Sequence, residues 1–304
     1  EILNKFDGGF NIEEVVTIDG RKLSYVINKT MMRIDLIKPM KPGSRMSISI
    51  RWNYNIQDRI FMGGRPGYEF FRSDSNYLYT ICQWFPRMAM YNDVYGWQNK
   101  QFLGRGEFTL DFGDYDVRIT VPADHIVAAT GEIQNSMEVL TNAQIKRLKQ
   151  ARSSDEPVNI ITQVEAEKNE KSRSKNFKTW RYKAKNVRDF AFTSSRKFIW
   201  DAMGVKLGNR TVMAMSYYPK EANPLYERYS TKAVAHTLRV YSKYTFDYPY
   251  PVAISVEASN GMEYPMICFN YGRPEKDGTY SERIKYGMIS VIIHEVGHNY
   301  FPMI

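Results

Sequence analysis

Residues 288–296 form the most apolar stretch of the chain, yet they hold His294 and Glu295, and His298 follows two positions later. Ionisable side chains inside an apolar helix are costly to bury unless something pairs with them. That conflict limits what the sequence can fold into: the helix has to lie against a core, and its polar groups have to converge on a partner. His294 and His298 stand at i and i+4, so both imidazoles project from one helix face about one turn apart and can reach a single metal ion. Glu295 sits ~100° around the helix from His294, close enough to meet a water on that metal without being a ligand. A catalytic zinc keeps three protein ligands and one water, and it lowers the pKa of that water to about 7, so a neighbouring carboxylate can take the proton. The chain has 4 histidines, and two of them fall here at ligand spacing. A chance pair is the alternative, and it leaves three ionisable groups buried without partners. The sequence is therefore read as a site for one Zn2+, with His294 and His298 as ligands and Glu295 as general base. His125 and His236 lack such company and read as ordinary strand-end and helix residues.

The remainder divides by pattern. Over residues 44–56, Met46, Ile48, Ile50, Trp52 and Ile56 alternate with polar residues, which predicts a strand with one apolar face. Residues 107–112 repeat the alternation through Phe108, Leu110 and Phe112. The segment Gly113, Asp114, Tyr115, Asp116 reads as a turn before Val117, Ile119 and Val121 alternate again. Residues 160–164 and 187–192 read as further strands, and 141–152 as the single helical insertion. After about residue 200 the pattern changes. A short strand over 211–217 is followed by Pro224, which suits a helix start, and by a helix reaching 246 with Leu225, Tyr229, Val234, Leu238 and Tyr241 on one face. Residues 252–256 form an apolar strand and 259–266 an extended piece. Thr279 and Glu282 fit a capping box for the last helix, and Pro302 ends it near Tyr300. With 304 residues, about two domains are expected. The fold class is multidomain, β then α/β: an N-terminal antiparallel β domain over 1–200, then the start of a second domain over 201–304.

Composition excludes several classes. No apolar run approaches the ~18–20 residues that cross a bilayer as a helix, so no transmembrane segment is expected. Two cysteines, Cys82 and Cys268, form no metal or redox spacing and are too few for a disulfide-stapled scaffold, which leaves at most one bridge. The formal net charge is +9, and 8 Lys and Arg crowd into residues 168–185, interleaved with Phe177, Trp180 and Tyr182. That mixture superficially suits nucleic acid. A solvated hairpin with its lysines outward explains it equally and is preferred, because no nucleic-acid motif accompanies it. The chain begins with Glu1 and shows no charged-then-apolar leader, so it is expected to be processed or a fragment.

A second signal is Asn260, Gly261, Met262, Glu263, Tyr264, Pro265. Alone it reads as a turn into an edge strand, with Gly261 giving backbone freedom. Next to the histidine pair it changes meaning. A zinc peptidase needs extended backbone beside its metal to align a peptide as an added strand. A carboxylate at the start of that edge can capture a substrate's free ammonium group, which separates removal of one terminal residue from internal cleavage.

On these motifs the chain resembles, over its whole length, the M1 family of zinc aminopeptidases, the gluzincin group that includes aminopeptidase N and leukotriene A4 hydrolase. In that family a G-x-M-E-N exopeptidase motif precedes H-E-x-x-H; here Glu263 precedes His294 by 31 residues. Gln83-Trp84-Phe85-Pro86, Gly113-Asp114-Tyr115-Asp116-Val117 and Asp189-Phe190-Ala191-Phe192 are similar to bacterial-type members. The resemblance implies that the second domain is thermolysin-like. It also implies that His294 and His298 bind zinc, that Glu295 is base and proton shuttle, and that Glu263 holds the terminal amine. Gly261 and Met262 would pair with a peptide substrate through their backbone. Gln83 would line the pocket for the first side chain, although it reads equally as a simple strand residue. Asn260 replaces the motif's first Gly and Tyr264 its last Asn, which puts pocket shape and residue preference in question. The family's third zinc ligand, a Glu beyond the second His, and its oxyanion tyrosine fall past residue 304. The expectation is thus the N-terminal portion of a zinc-dependent aminopeptidase, inactive by itself, that removes N-terminal residues one at a time by attack of zinc-bound water. The alternatives are a thermolysin-type endopeptidase and a non-catalytic scaffold subunit on a peptidase fold. The resemblance leans towards an exported bacterial enzyme, periplasmic or in the cell envelope.

Overall fold

Of the alternation read over 44–56, the strand Ile48–Asn53 forms: Ile48, Ile50 and Trp52 are half-buried and Ser49, Arg51 and Asn53 exposed, whereas Ile56, read on the apolar face, is exposed. It pairs antiparallel with Asn11–Thr17, with Val15 opposite Ile50. The computed structural model describes residues 6–101, 110–258 and 261–301. The chain divides into two compact units, residues 1–57 with 85–111 and residues 58–84 with 112–304. The first unit also holds two small antiparallel pairs, Ser24–Asn28 with Met31–Asp35 and Tyr91–Asn92 with Gly96–Trp97. Of the run expected as a strand over 107–112, residues 107–109 lie outside the described residues and 110–112 are not in a strand.

In the second unit, the strand Gly113–Pro122 pairs antiparallel with Phe177–Val187. Gly113 to Asp116 therefore open a strand rather than turning the chain. Their acidic side chains bond across to the partner strand: Arg181 meets Asp116 at 2.6 Å, and the Asn186 N–H donates to Asp114 at 2.9 Å. The basic run likewise is no hairpin. Its first part lies in a helix, Gln163–Ser172, where the Thr162 hydroxyl accepts from the Glu165 N–H at 3.2 Å and the Glu165 carboxylate accepts from the Thr162 N–H at 2.9 Å. That reciprocal cap also ends the strand expected over 160–164 at Ile161. A second capped helix, Asn142–Ala151, occupies the insertion expected at 141–152, so the segment has two long helical insertions rather than one. In the partner strand Lys183 and Lys185 are exposed, whereas Trp180 and Tyr182 are buried and present no ring face to solvent. The run expected over 187–192 is broken as well. Asp189 accepts from the Phe190 N–H at 2.8 Å, and the next strand is Phe192–Ser195.

The main core lies around a six-stranded sheet in the order Val158–Ile161, Ile199–Leu207, Arg210–Tyr218, Val252–Glu257, Ile267–Asn270, Met262–Tyr264. Residue 200, where the change of pattern was read, falls inside the second of these strands, so the sheet draws on both sides of it. Arg210–Tyr218 and Val252–Glu257 run parallel, joined by the helix Leu225–Tyr244. Strands covered on both faces need no alternation, and Val252–Glu257 is buried at every position. The helix faces the sheet with Leu225, Val234 and Leu238, as expected, but also with Tyr226, Ser230, Thr231 and Ala233; Tyr229 and Tyr241 are only half-buried. The polar members of that face join a hydrogen-bonded chain beneath the sheet. Asp201 accepts from Tyr218 at 2.7 Å and from Thr231, whose hydroxyl oxygen lies 2.7 Å from that of Ser216. The chain continues through Ser230 at 2.7 Å, Ser255 at 3.1 Å and Asn270 at 2.8 Å. Lys197, fully buried, forms a separate cluster with Asp74, with Glu170 at 2.9 Å and with Glu221 at 2.9 Å; Lys220 completes it on Glu170 at 2.6 Å. Among the described residues no helix is long and apolar enough to cross a membrane.

The last helix runs Glu282–Gly297. Its cap is Ser281, whose hydroxyl accepts from the Ile284 N–H at 3.3 Å, and not Thr279. Thr279 is held in a tighter turn by Asp277, which accepts from its N–H at 3.0 Å and its hydroxyl at 2.6 Å. At the other end, turns carry the chain on through Phe301; Pro302 lies outside the described residues.

Candidate metal centre

Met288, Ile292 and Val296 recur every four residues and make one buried stripe along the last helix, which seats it against the sheet. Burial is thus one-sided, not the full enclosure that the apolar sequence suggests: Tyr286 is 59% exposed, and His294 is exposed as well. Glu295 falls on the buried side, 6% exposed, and His298 at the end of the helix is half-buried. Gly297 has a packing reason. A Cβ there would come within 3.1 Å of the Tyr241 ring on the neighbouring helix, so its absence lets the helices close and fixes the turn that carries His298.

The Nε2 atoms of His294 and His298 lie 3.1 Å apart, with ring planes at 88°. At that separation one neutral ring can donate its Nε2–H to the other, or both nitrogens can turn their lone pairs to one cation. Two nitrogens bound to one tetrahedral zinc at 2.0–2.1 Å would stand about 3.3 Å apart. The separation of the two nitrogens therefore suits one zinc. Glu263, Glu295 and His298 add a second convergence, each offering a ligand atom within 4.8 Å of the others.

Glu263 arrives from the sheet. Met262–Tyr264 is the edge strand, antiparallel to Ile267–Asn270, with Glu263 opposite Cys268. Its outer side is the end of the sheet order, where a further extended segment can pair. Gly261, just before it, lies against Glu295, and a Cβ there would collide with the Glu295 carboxylate. What Gly261 supplies is space, beyond the backbone freedom read from sequence. The electrostatics register the same convergence: burial pushes the Cys268 thiol up, and the charges of Glu295 and Glu263 push it further.

The residues singled out in sequence therefore fall into two groups. Glu263, Glu295, His298 and Gly261 come together, and His294 joins them through its contact with His298. Met262 is buried and turned away from that group towards Arg65, whose guanidinium donates to its sulfur at 3.1 Å. Gln83 is exposed, in the left-handed region at φ 51°, and its N–H donates to the Tyr264 hydroxyl at 3.1 Å; it reaches the edge strand one residue beyond Glu263. Asn260 lies outside the described residues. Sequence reasoning missed Arg65 and Asn299. Nothing in the sequence marks Arg65. Asn299 carried one signal, its place directly after His298.

No family model and no curated protein matches the chain. Solved structures do. An M1 zinc metallopeptidase from Deinococcus radiodurans aligns with a TM-score of 0.56 at 16% identity, covering 97% of this chain and 55% of that one. A mutant of the Deinococcus radiodurans enzyme bound to a Tyr-Ser-Ala substrate gives 0.53 at 16% identity, over 97% and 55%. A two-domain M1 zinc metallopeptidase mutant bound to L-arginine gives 0.55 at 16% identity, over 97% and 56%. The likeness shows that this chain shares the fold of the matching part of these M1 zinc metallopeptidase structures, an N-terminal β region followed by a mixed α/β region. The chain spans a little over half the length of the proteins it matches.

Proposed function

We propose that this chain is part of a zinc-dependent aminopeptidase acting on peptides, and that residues 201–304 begin its thermolysin-like catalytic domain. The observation that carries the reading is the meeting of two imidazole nitrogens 3.1 Å apart with the carboxylates of Glu295 and Glu263 beside an open sheet edge. His294 and His298 would hold the zinc. When bound, zinc supplies a Lewis acid that polarises a carbonyl and brings the pKa of water to about 7. Glu295, buried and next to His298, is placed to take a proton from water and deliver it to the departing amine. The edge strand Met262–Tyr264 would align the peptide backbone by adding it to the sheet. Glu263, on the same strand, would hold the peptide's ammonium group so that the first peptide bond, and not an internal one, lies at the metal.

Kinetics on the intact polypeptide with one peptide, in free and N-acetylated form, test this. The free form should be cleaved at least ~10²-fold faster in kcat/KM, since the ammonium–carboxylate bond is charge-assisted and positions the scissile bond. Glu263→Ala should erase the difference. Equal cleavage by the unaltered protein would point to an endopeptidase. An intact polypeptide that carries no zinc would point to a scaffold.

A further inference from the structure

We propose that Asn299 is a positioning residue that fixes the Glu263 strand against the metal-binding helix and thereby sets the preference for a free amine; the inference rests on the aminopeptidase reading above. Asn299 directly follows His298 and is 2% exposed. Its side-chain oxygen accepts from the Met266 N–H at 2.8 Å, and its side-chain nitrogen donates to the Tyr264 carbonyl at 3.4 Å. A primary amide offers one acceptor and donors on adjacent atoms, so it matches this pair of backbone groups, whereas a carboxylate would set an acceptor against a carbonyl. The two groups flank the turn between the edge strand and its neighbour, Ile267–Asn270.

That turn is not rigid by its own chemistry. Met266 is buried with φ at 65°, a conformation in which a side chain is strained. It is held from two sides: its N–H by Asn299, and its carbonyl by the Ile254 N–H at 2.9 Å. Asn299 is itself anchored. The next residue, Tyr300, donates to the Leu238 carbonyl at 3.1 Å and shares a bond with the Ser242 hydroxyl at 2.9 Å, both on the helix Leu225–Tyr244. A continuous link thus runs from His298 through Asn299 to the strand that carries Glu263. His294, on the preceding helical turn, does not depend on it. Without Asn299 the zinc ligands should persist while the amine-binding carboxylate drifts relative to them.

The test uses the intact, zinc-loaded polypeptide and its Asn299→Ala and Asn299→Gln variants. Three quantities are read: zinc per chain, calorimetric affinity for an amino-acid amide and for its N-acetyl form, and kcat and KM on a free-amine peptide. Asn299→Ala should keep its zinc, bind the free amide at least about tenfold more weakly, and show the loss chiefly in KM, since a misplacement near 1 Å can cost ~10²-fold. Asn299→Gln, which keeps the amide, should recover part of that loss. If Asn299→Ala fails to fold, the same comparison is made on Asn299→Ser. A variant that binds the free amide as the unaltered protein does would overturn the inference, as would one that loses zinc in proportion to activity. An unaltered protein that binds both forms alike sinks the amine-capture reading, and this inference with it. Discrimination in the unaltered protein that survives unchanged in the variant sinks this inference alone.

Discussion

The Lys197 cluster and the His294–His298 pair both draw ionisable groups together, but they balance charge differently. At Lys197 a buried ammonium meets Asp74, Glu170 and Glu221, and Lys220 shares Glu170. Burial alone would lower the pKa of this lysine, but the carboxylates outweigh it and hold it above the ordinary value. At the end of the last helix the converging groups are two imidazoles and two carboxylates, the set proposed above to hold and serve a metal. A cluster that supplies its own counter-charge serves the fold. On the reading proposed above, the second cluster takes its positive charge from a metal, and that difference would separate a structural site from a chemical one.

The sharpest way to break the comparison is to remove one member of each cluster. Glu295→Gln should lower kcat by about 10²–10⁴-fold, the range of a general base, with a urea midpoint close to that of the unaltered protein. Lys197→Met should do the reverse. It leaves three carboxylates without their ammonium, and breaking a buried pair costs about 3–5 kcal/mol, while activity per folded molecule stays the same. Urea unfolding and kinetics normalised to folded protein read both. A stable Lys197→Met, or a Glu295→Gln that unfolds, would reverse the assignments.

Two glycines extend the contrast at smaller scale. Gly261→Ala would drive a methyl group into the Glu295 carboxylate, and kcat/KM should fall about 10²-fold as the base is displaced, with little change in stability. Gly272→Ala would press on Met288, 2.8 Å from its Cβ, in the buried stripe of the same helix. It should destabilise by about 1–3 kcal/mol through overpacking and leave kcat nearly intact. If both variants lose activity in step with stability, the base and the stripe are not separable.

How far each cluster was legible in the sequence follows from how its residues are spaced. His294, Glu295 and His298 fall within five consecutive positions at the end of one helix, so helical geometry alone brings them together. Glu263 needed the sheet: nothing local says that an edge strand will end beside that helix, and only the likeness to a known motif brought it in. The Lys197 cluster was invisible, since its acids come from residues 74, 170 and 221 and no period relates them. Caps were misread where two were available. Thr279 lost to Ser281 because Asp277 had already claimed its hydroxyl, and the Thr162–Glu165 box went unread beneath a short apolar run. The alternating strands were found where one face is wet; Val252–Glu257, buried on both faces, was legible as a compact apolar run.

Buried titrating groups sharpen the comparison with pH. Burial raises the Asp201 carboxyl to about 7, against hydrogen bonds from Thr231 and Tyr218 that pull it down. The folded protein therefore binds a proton that the unfolded chain has released, and stability falls as pH rises from ~4 to ~7. Burial, with the charge of Arg196, lowers His125 to about 4, beside the Ser194 hydroxyl at 2.8 Å. There the unfolded chain takes up the proton first, so stability is lost as pH falls from ~6.5 to ~4. The two slopes oppose each other. Asp201→Asn should leave stability that rises with pH across this window, and His125→Asn stability that falls with it, each by a few kcal/mol over the range. Urea unfolding at half-unit pH steps reads the sign, and equal slopes in both variants would remove these residues as the source.

The smallest expected effect concerns the outward side of the last helix. Gly287 sits in its first half, exposed, and a Cβ there would meet nothing within 4 Å. Glycine inside a helix gives up about 0.5–1 kcal/mol relative to alanine, because its unfolded state is the more disordered. Gly287→Ala should therefore stabilise by that amount, with zinc binding and kcat unchanged. The sign carries the information. A gain means that the turn before Met288 faces solvent, as the one-sided stripe implies, and that the helix is held by its sheet side alone. A loss of 1 kcal/mol or more would mean that the outer side is packed in the working protein, and the exposure of Tyr286 and His294 would then have to be read as a surface that something covers.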